Sequence, residues 1–454
     1  MKYALFGAGT LGERYYNLLK DKYDIACFVD NDIKKHGKEY LSLGVISPAS
    51  LLESGLAVII ASAHVIDIML QLFDMGIKVF YLPESAASPN LLHIDFTKHD
   101  SIAEKPNKIC VIRQNYAGAD SSALIKNNPF DDLNIVEVNA LSKDSYYYYH
   151  YITSVLIVSQ FLEPIHGNKK SIELWHGSFL IKAIGYTVKE RIDKMGADYV
   201  HNAFATKTAI CSLSELSNIF FGYCFKIEPS KFRITGYPHN DFLFNNDGIN
   251  ALEKCFGEIS QKYIVIYMPT YRERLDSAKN GESTFVFDMP GFDETDFNDF
   301  LSQNDILFLH KMHALHIAQA TISDTKNVKQ LTDAILDEQN IDLYEALSGT
   351  DCLVSDYSAV IIDYLLTDKP IILTPTDLES YTESRGLLLE PYDAWMPGEI
   401  ALDYNQFKRA LKNALFGEDS YKTDRLRLKR ITHKYTDGKS TERVLKLARE
   451  LLGQ

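Results

Sequence analysis

A histidine stands between tryptophan and glycine where an apolar run stops, in Trp175-His176-Gly177-Ser178 after Ser171–Leu174. An imidazole offers a free lone pair near neutral pH, and the glycine beside it leaves room for a substrate. A packed, hydrogen-bonded core histidine is the competing reading. Four more strings have the same placement: Thr235-Gly236-Tyr237-Pro238, Tyr267-Met268-Pro269-Thr270-Tyr271-Arg272, Lys311-Met312-His313 and Ser355-Asp356-Tyr357-Ser358. Each puts a histidine, a cation, a hydroxyl or a turn where a strand ends, and open α/β sheets bind ligands beyond those ends. Together they read as a site for a nucleotide diphosphate with a histidine available as base.

Lys311 and His313, two residues apart, share one side of an extended segment and both can donate to phosphate oxygens. Arg272 is a bidentate phosphate clamp or the partner of a surface acid such as Glu273. Ser358 stands where a helix should begin, so it caps that helix or helps present its N–H groups to an anion. Ser178 and Lys182 add donors near His176. Asp377 and the pair Arg385-Gly386 follow the next strand, where an acid can hold a ribose or a substrate alcohol.

A separate signal opens the chain. Tyr3–Phe6 runs into Gly7-Ala8-Gly9-Thr10-Leu11-Gly12 and then a helical pattern, with Asp30 after the second strand. Gly7, Gly9 and Gly12 fit a turn that brings backbone to a pyrophosphate, and Asp30 fits a ribose hydroxyl. A nucleotide or NAD is the ligand such a turn would take; a domain of this shape without a ligand is the alternative. Tyr16 and Lys20 have a dehydrogenase-like spacing but lie on the first helix, as a solvated face. Asp30-Asn31-Asp32 resembles a metal-binding DxD, yet it falls within the dinucleotide fingerprint, so no metal site is expected. The run Tyr146–Tyr149 with His150 and Tyr151 suits strand packing better than stacking on a sugar. The basic stretch from Lys422 to Lys434 suits a solvated helix face better than an anionic lipid surface.

These residues need strands and helices to hold them. The 454-residue chain is long enough for about three domains. Residues 1–95 read as one α/β unit, with strands at Tyr3–Phe6, Ile25–Val29, Val58–Ala61 and Lys78–Tyr81. The polar stretch from Pro83 to Lys108 reads as a linker. A second α/β domain covers 108–245 and a third 246–454, each alternating strands and helices with its chemistry at strand ends, as in two doubly wound halves flanking a cleft. A hydrophobic content of 46% suits ordinary cores, and a net charge of −14 argues against a nucleic-acid partner. Six scattered cysteines without a CxxC pair fit a reducing cytoplasm. The first apolar run is too short for a signal peptide and no run reaches the length of a membrane span, so any membrane contact is expected to be peripheral.

With these residues named, residues 110–445 resemble the CDP-glycerol glycerophosphotransferases, the primases and polymerases of teichoic acids and similar capsules. The matching motifs are Trp175 through Ser178 with Lys182, Thr235 through Asp241, Pro269 through Arg272, Lys311 through His313 and Ser355 through Ala359, closing with Asp437-Gly438 and Arg443. Departures are Ser178 for threonine, His239 for arginine, Tyr271 for tryptophan, Ala314 for proline and Ala359 for serine. They point to a donor other than CDP-glycerol, such as CDP-ribitol. The resemblance implies a GT-B fold of two Rossmann-like domains, acceptor half first and CDP-donor half second; the third, N-terminal domain that precedes them lies outside the core family and resembles Rossmann-like modules attached to nucleotide-sugar and capsule enzymes. It implies a cytoplasmic transferase, peripheral on the membrane, with a CDP-alditol donor, a glycan or polymer acceptor and no required cofactor; an oligomer is compatible with it.

His176 then matches the base and His313 the histidine that contacts donor phosphate. Arg272, Lys311, Asp356, Ser358, Asp377 and Arg385 match or neighbour the donor pocket. The rivals are a GT-B glycosyltransferase using a nucleotide sugar, an NAD-dependent oxidoreductase run by the first domain, and a nucleotide-sensing scaffold without catalysis.

Overall fold

The computed structural model describes residues 1–84, 88–98, 108–113, 120–139, 155–158, 169–178, 180–188, 201–245, 247–270, 285–312 and 322–453. Its contacts divide the chain into two compact units. The first is Met1–Cys110 with short later pieces, and the second holds most of the remainder up to Gln454.

The first unit is built on seven strands: β1 (Lys2–Phe6), β2 (Asp24–Val29), β3 (Glu39–Tyr40), β4 (Leu43–Ile46), β5 (Ala57–Ile60), β6 (Val79–Pro83) and β7 (Leu91–Asp95). Their order is β3-β4-β2-β1-β5-β6-β7, parallel except for the two edge strands β3 and β7. Parallel strands covered on both faces need apolar residues throughout. Ala4, Leu5, Phe6, Val58, Ile59 and Ile60 accordingly have almost no exposure. The stretch Leu91–Asp95, which reads from sequence as linker, is instead β7, pairing antiparallel with β6 from Val79↔Asp95 to Pro83↔Leu91. One face of an edge strand is wet, so only Ile94 is fully buried and the apolar signal is weak.

The other two sheets form two lobes, most of whose residues belong to the second unit. Lobe one carries β8 (Lys108–Arg113), β9 (Asn134–Asn139), β10 (Val155–Val158), β11 (Lys170–Glu173), β12 (Ala209–Ser212) and β13 (Phe232–Ile234), in the order β13-β12-β11-β10-β8-β9. Lobe two carries β14 (Tyr263–Tyr267), β15 (Ile306–His310), β16 (Val328–Gln330), β17 (Cys352–Ser355), β18 (Ile371–Leu373) and β19 (Glu399–Ile400). Its order is β16-β15-β14-β17-β18-β19, all parallel. Chain order reverses between β14 and β17, so the segments leaving those strands, Met268–Thr270 and Asp356–Ala359, flank the switch point where such sheets take ligands.

The lobes are joined by a shared apolar core, in which Leu180, Ile181, Tyr237 and Phe242 pack with Ile264, Leu353 and Ile361. A short backbone ladder adds to it: Ala183 N–H donates to the Gly386 carbonyl at 2.9 Å and Leu388 N–H to the Ile181 carbonyl at 2.8 Å. The final helix, Ser440–Leu452, returns to lobe one, against β10 and the helix Asp120–Lys126. Asp241 caps it, accepting the Ser440 and Thr441 N–H groups at 2.8 and 2.7 Å. Gly236 lies beside this cap at φ +77°, and a Cβ there would sit 2.3 Å from Ser440 Oγ. The string Thr235 through Asp241 therefore serves the architecture, since only glycine lets the chain pass so close to the returning helix.

Candidate active site

β11 ends on Glu173, and the chain then turns sharply. Trp175 has φ +62° and Gly177 φ +110°, and a bulky residue in the left-handed region signals a backbone held there by its surroundings. Two things hold it. The Trp175 ring is packed among Phe204, Phe221 and Phe225 at 5.3–5.6 Å between centroids. The Trp175 backbone N–H donates to Glu173 Oε1 at 3.0 Å, and Lys207 Nζ lies 3.8 Å from the other carboxylate oxygen, with the Glu173 and Lys207 side chains wholly buried.

This turn sends the next side chain outwards. His176 is exposed although the residues on either side are buried. Protein still crowds its ring. Desolvation first, then the charges of Lys182 and His239, push its pKa far below the usual 6.5, to about 3. Crowding and accessibility point in different directions here. The ring keeps a solvent-facing surface all the same, through which it can be approached, and the crowding accounts for the direction of its pKa. The imidazole is thus neutral at working pH, the form in which it can take up a proton.

Lobe two comes up to this turn. A Cβ on Gly177 would lie 3.6 Å from Ala359 Cβ and 3.7 Å from Asp363 Oδ2. Lys182 forms an antiparallel bridge with Leu387, and Arg385 Nε donates to the Ala183 carbonyl at 3.1 Å. His176, Lys182, Ser358 and Arg385 are therefore brought to one junction between the lobes.

The other residues singled out from the sequence have protein partners in the structure. Asp356 reads from sequence as a donor contact; in the structure it is buried, and its Oδ1 accepts the N–H groups of Thr270 and Tyr357 at 2.8 and 2.5 Å. It fastens the loop after β17 to the end of β14. Asp377 is buried too and accepts the Tyr357 hydroxyl at 3.1 Å, while the Tyr357 ring stacks on Tyr381 at 4.1 Å. Lys311, expected as a phosphate-binding cation, is buried with Nζ 2.8 Å from Asp333 Oδ1, so its charge is already countered. Ser358 does not cap the helix after it. That helix is Val360–Tyr364, its N-cap is Ala359 without a side-chain bond, and the Ser358 carbonyl accepts from Ile361 N–H at 3.1 Å. Five residues add up to little dipole, so an anion here would rely chiefly on side-chain cations. Arg272, His313 and the run Tyr146–Tyr151 lie outside the described residues.

Sequence reading passes over a buried cluster directly behind the turn. His239 sits between Asp120 of lobe one, with Nδ1 2.8 Å from Oδ1, and Asp363 of lobe two, with Nε2 3.9 Å from Oδ2. These are close charge contacts rather than aligned hydrogen bonds. Asp120 Oδ1 also accepts the His239 backbone N–H at 2.9 Å, and Tyr344 donates its hydroxyl to Asp363 Oδ2 at 2.8 Å. Burial alone would push the His239 imidazole down, but the two carboxylates outweigh it and raise its pKa to about 10. A histidine raised in the folded state adds stability that is complete below its unfolded value near 6.5 and fades as pH climbs to about 10. The thermal midpoint of the native protein should therefore fall over that interval more steeply than that of a His239→Gln variant. Parallel slopes in a pH series of melting curves would refute this.

In the first unit, the Gly7–Gly12 turn follows β1 and opens the helix Thr10–Leu19, as expected. A Cβ on Gly12 would meet the Gly7 carbonyl oxygen at 1.7 Å, whereas one on Gly9 meets nothing within 4 Å. Gly12 is thus a packing glycine and Gly9 faces open space. Asp30 is already engaged: Oδ2 takes Ala8 N–H at 2.9 Å and Lys35 Nζ at 2.8 Å, and Oδ1 takes Asp32 N–H at 2.8 Å. A ribose would have to compete with those donors. Elsewhere, a cavity of about 330 Å³ is lined by Lys126, Asn245, Lys254, Asn340 and Glu345 among others, but by none of the junction residues. Lys126 there is spent on Glu345 and the Asn340 carbonyl. Among the described residues no group of three or more His, Cys, Asp or Glu side chains could hold a metal ion, and no helix is long and apolar enough to cross a membrane.

Two parallel α/β lobes with a reachable histidine at their junction define a GT-B-like protein. The fold is shared with the wall teichoic acid polymerase TagF, at a TM-score of 0.62 and 20% identity over 78% of this chain and 92% of that one. Residues 86–449 match the family described as CDP-Glycerol:Poly(glycerophosphate) glycerophosphotransferase, and the chain belongs to that family. Residues 1–79 match the family described as C2185-like, N-terminal. Among relatives, the chain is 28% identical to the teichoic acid ribitol-phosphate polymerase TarL of Staphylococcus aureus, over 62% of this chain and 47% of TarL. It is 25% identical to the teichoic acid glycerol-phosphate primase of Bacillus subtilis, over 75% of this chain and 82% of the primase. The chain spans about half the length of the ribitol-phosphate polymerases it matches first.

Proposed function

We propose that this protein moves an alditol phosphate, glycerol phosphate or ribitol phosphate, from a CDP-activated donor to a hydroxyl of a glycan or a growing teichoic-acid-like polymer, releasing CMP. The observation that carries this reading is His176, solvent-accessible and uncharged at a place where lobe two approaches lobe one through Gly177 and Ala359. Membership of the glycerophosphotransferase family supplies the reaction class.

In the proposed step an acceptor hydroxyl oxygen attacks the phosphorus that bears the alditol. A new P–O bond forms as the P–O bond to CMP breaks, the hydroxyl proton passes to His176, and CMP departs with the bonding electrons. Lys182 and Arg385 are described cations at this junction, and Arg272 and His313 join them on the strength of their motifs. Most of the acceleration in such a transfer comes from positioning and fixed charge. A bound pyrophosphate also raises the basicity of a neighbouring imidazole, because opposite charge favours the protonated form. His176 then becomes a stronger base when the donor is present. The reading carries with it a cytoplasmic protein that meets its acceptor by peripheral contact with the membrane.

For the first unit we propose a nucleotide-type ligand held through the backbone of the Gly7–Gly12 turn, with Asp30 framing the turn instead of touching ribose.

A donor screen tests the main reading. CDP-ribitol or CDP-glycerol with a polymer acceptor should release CMP, while UDP-sugars should give no product. Product from a UDP-sugar alone would transfer the protein to the glycosyltransferases, and tight CDP binding without any product would make it a scaffold.

A further inference from the structure

We propose that His239 is a positioning residue for this reaction: its buried ring, gripped between Asp120 of lobe one and Asp363 of lobe two, holds the Gly177 turn against the segment after Ser358 and so fixes where His176 stands. The inference rests on the functional reading above and deepens it.

Three observations carry it. The first is location. Asp363 Oδ2 would lie only 3.7 Å from a Cβ on Gly177, so the acid that faces His239 also forms the floor beneath the histidine turn. The second is composition. Asp120, His239 and Asp363 are at most 1% exposed, and a neutral ring between two buried carboxylates would leave both without a countercharge. Tyr237, Cys211, Asp342, Tyr344, His433 and His176 itself are the other titratable side chains that act on the cluster, from its own segment and from the elements packed around it. None of them supplies a second cation of comparable proximity among the described residues: Tyr344 and Tyr237 are held in the neutral form, and burial keeps His433 neutral with its pKa pushed down to about 4. The third is connectivity. The three residues come from the helix Asp120–Lys126, the connecting segment Pro238–Phe244 and the helix Val360–Tyr364. The ring therefore ties both lobes and the segment between them at one point. His176 feels this point electrostatically.

The test uses the full-length chain. His239→Gln leaves two buried carboxylates facing each other and will lose stability, so a second variant, His239→Gln with Asp363→Asn, keeps the net charge of the cluster while removing the clamp. Turnover is read as CMP release per folded molecule. For the double variant we expect kcat to fall at least 10-fold with KM for the donor changed less than threefold. His239→Arg, which keeps a cation, should recover part of the loss. A readout that needs no donor accompanies this: the rate of His176 acylation by diethyl pyrocarbonate, followed by peptide mass spectrometry, should change severalfold in the double variant. An unchanged labelling rate, or an unchanged kcat in a folded double variant, overturns the proposal. A changed labelling rate in a protein whose native form turns over no CDP-alditol sinks the functional reading and leaves the positioning role standing.

Discussion

His176→Ala should lower CMP release by about 10²–10⁴-fold, the range over which a positioned general base contributes. That corresponds to about 3–5 kcal/mol of transition-state stabilisation. The structure separates this effect from folding. The imidazole is exposed, while the packing of the turn is carried by Trp175 among Phe204, Phe221 and Phe225. The thermal midpoint of the variant should therefore stay within a few degrees of the native value. The depressed pKa adds a signature: the acid limb of kcat/KM should lie below pH 6.5, since crowding, Lys182 and His239 hold the free ring unprotonated. A variant with near-native turnover at saturating donor would remove His176 from the mechanism.

Glu173→Ala should have the largest effect on stability, about 3–5 kcal/mol, the usual consequence of leaving one member of a buried ion pair without its partner. Glu173 and Lys207 have no exposed side-chain surface, so the ammonium left behind is not in contact with bulk water. The same change removes the acceptor of the Trp175 N–H, which helps to keep that residue at φ +62°. Chemical denaturation should show the loss directly. Glu173→Gln keeps an acceptor for Trp175 but not the charge for Lys207, and should fall between native and alanine. If both variants unfold at the native denaturant concentration, the buried pair is not what secures the turn.

Much of this organisation is written locally. The strands that deliver Lys311 and Asp356 are nearly continuous apolar runs, Ile306–His310 and Cys352–Ser355, which is how a strand buried on both faces must look. The one that delivers His176 instead reads Lys-Ser-Ile-Glu and is marked chiefly by the Trp-His-Gly turn after it. The site itself is legible only in part. Asp356 and Asp377 look like ligands because an acid at a strand end usually faces solvent, yet here they accept protein donors from Thr270 and Tyr357. That outcome depends on the neighbouring strand and loop, which no local pattern reveals. Short strands such as Val328–Gln330 and Glu399–Ile400 have too few residues for a period to emerge. The cluster of Asp120, His239 and Asp363 spans more than half the chain and has no spacing to detect. Its one visible trace is an acid inside the otherwise apolar stretch Val360–Leu366, where an unpaired charge could not survive.

The helix Ser440–Leu452, capped by Asp241 and lying against β10, has a consequence for biosynthesis. Domains generally fold in the order in which they leave the ribosome. Lobe one cannot be complete by that order, because the helix that packs on it follows the whole of lobe two in the chain. Until residues 440–452 are made, the surface that this helix covers on β10 and on the helix Asp120–Lys126 stays open, and a nascent chain stalled just before them should still be sensitive to protease within lobe one.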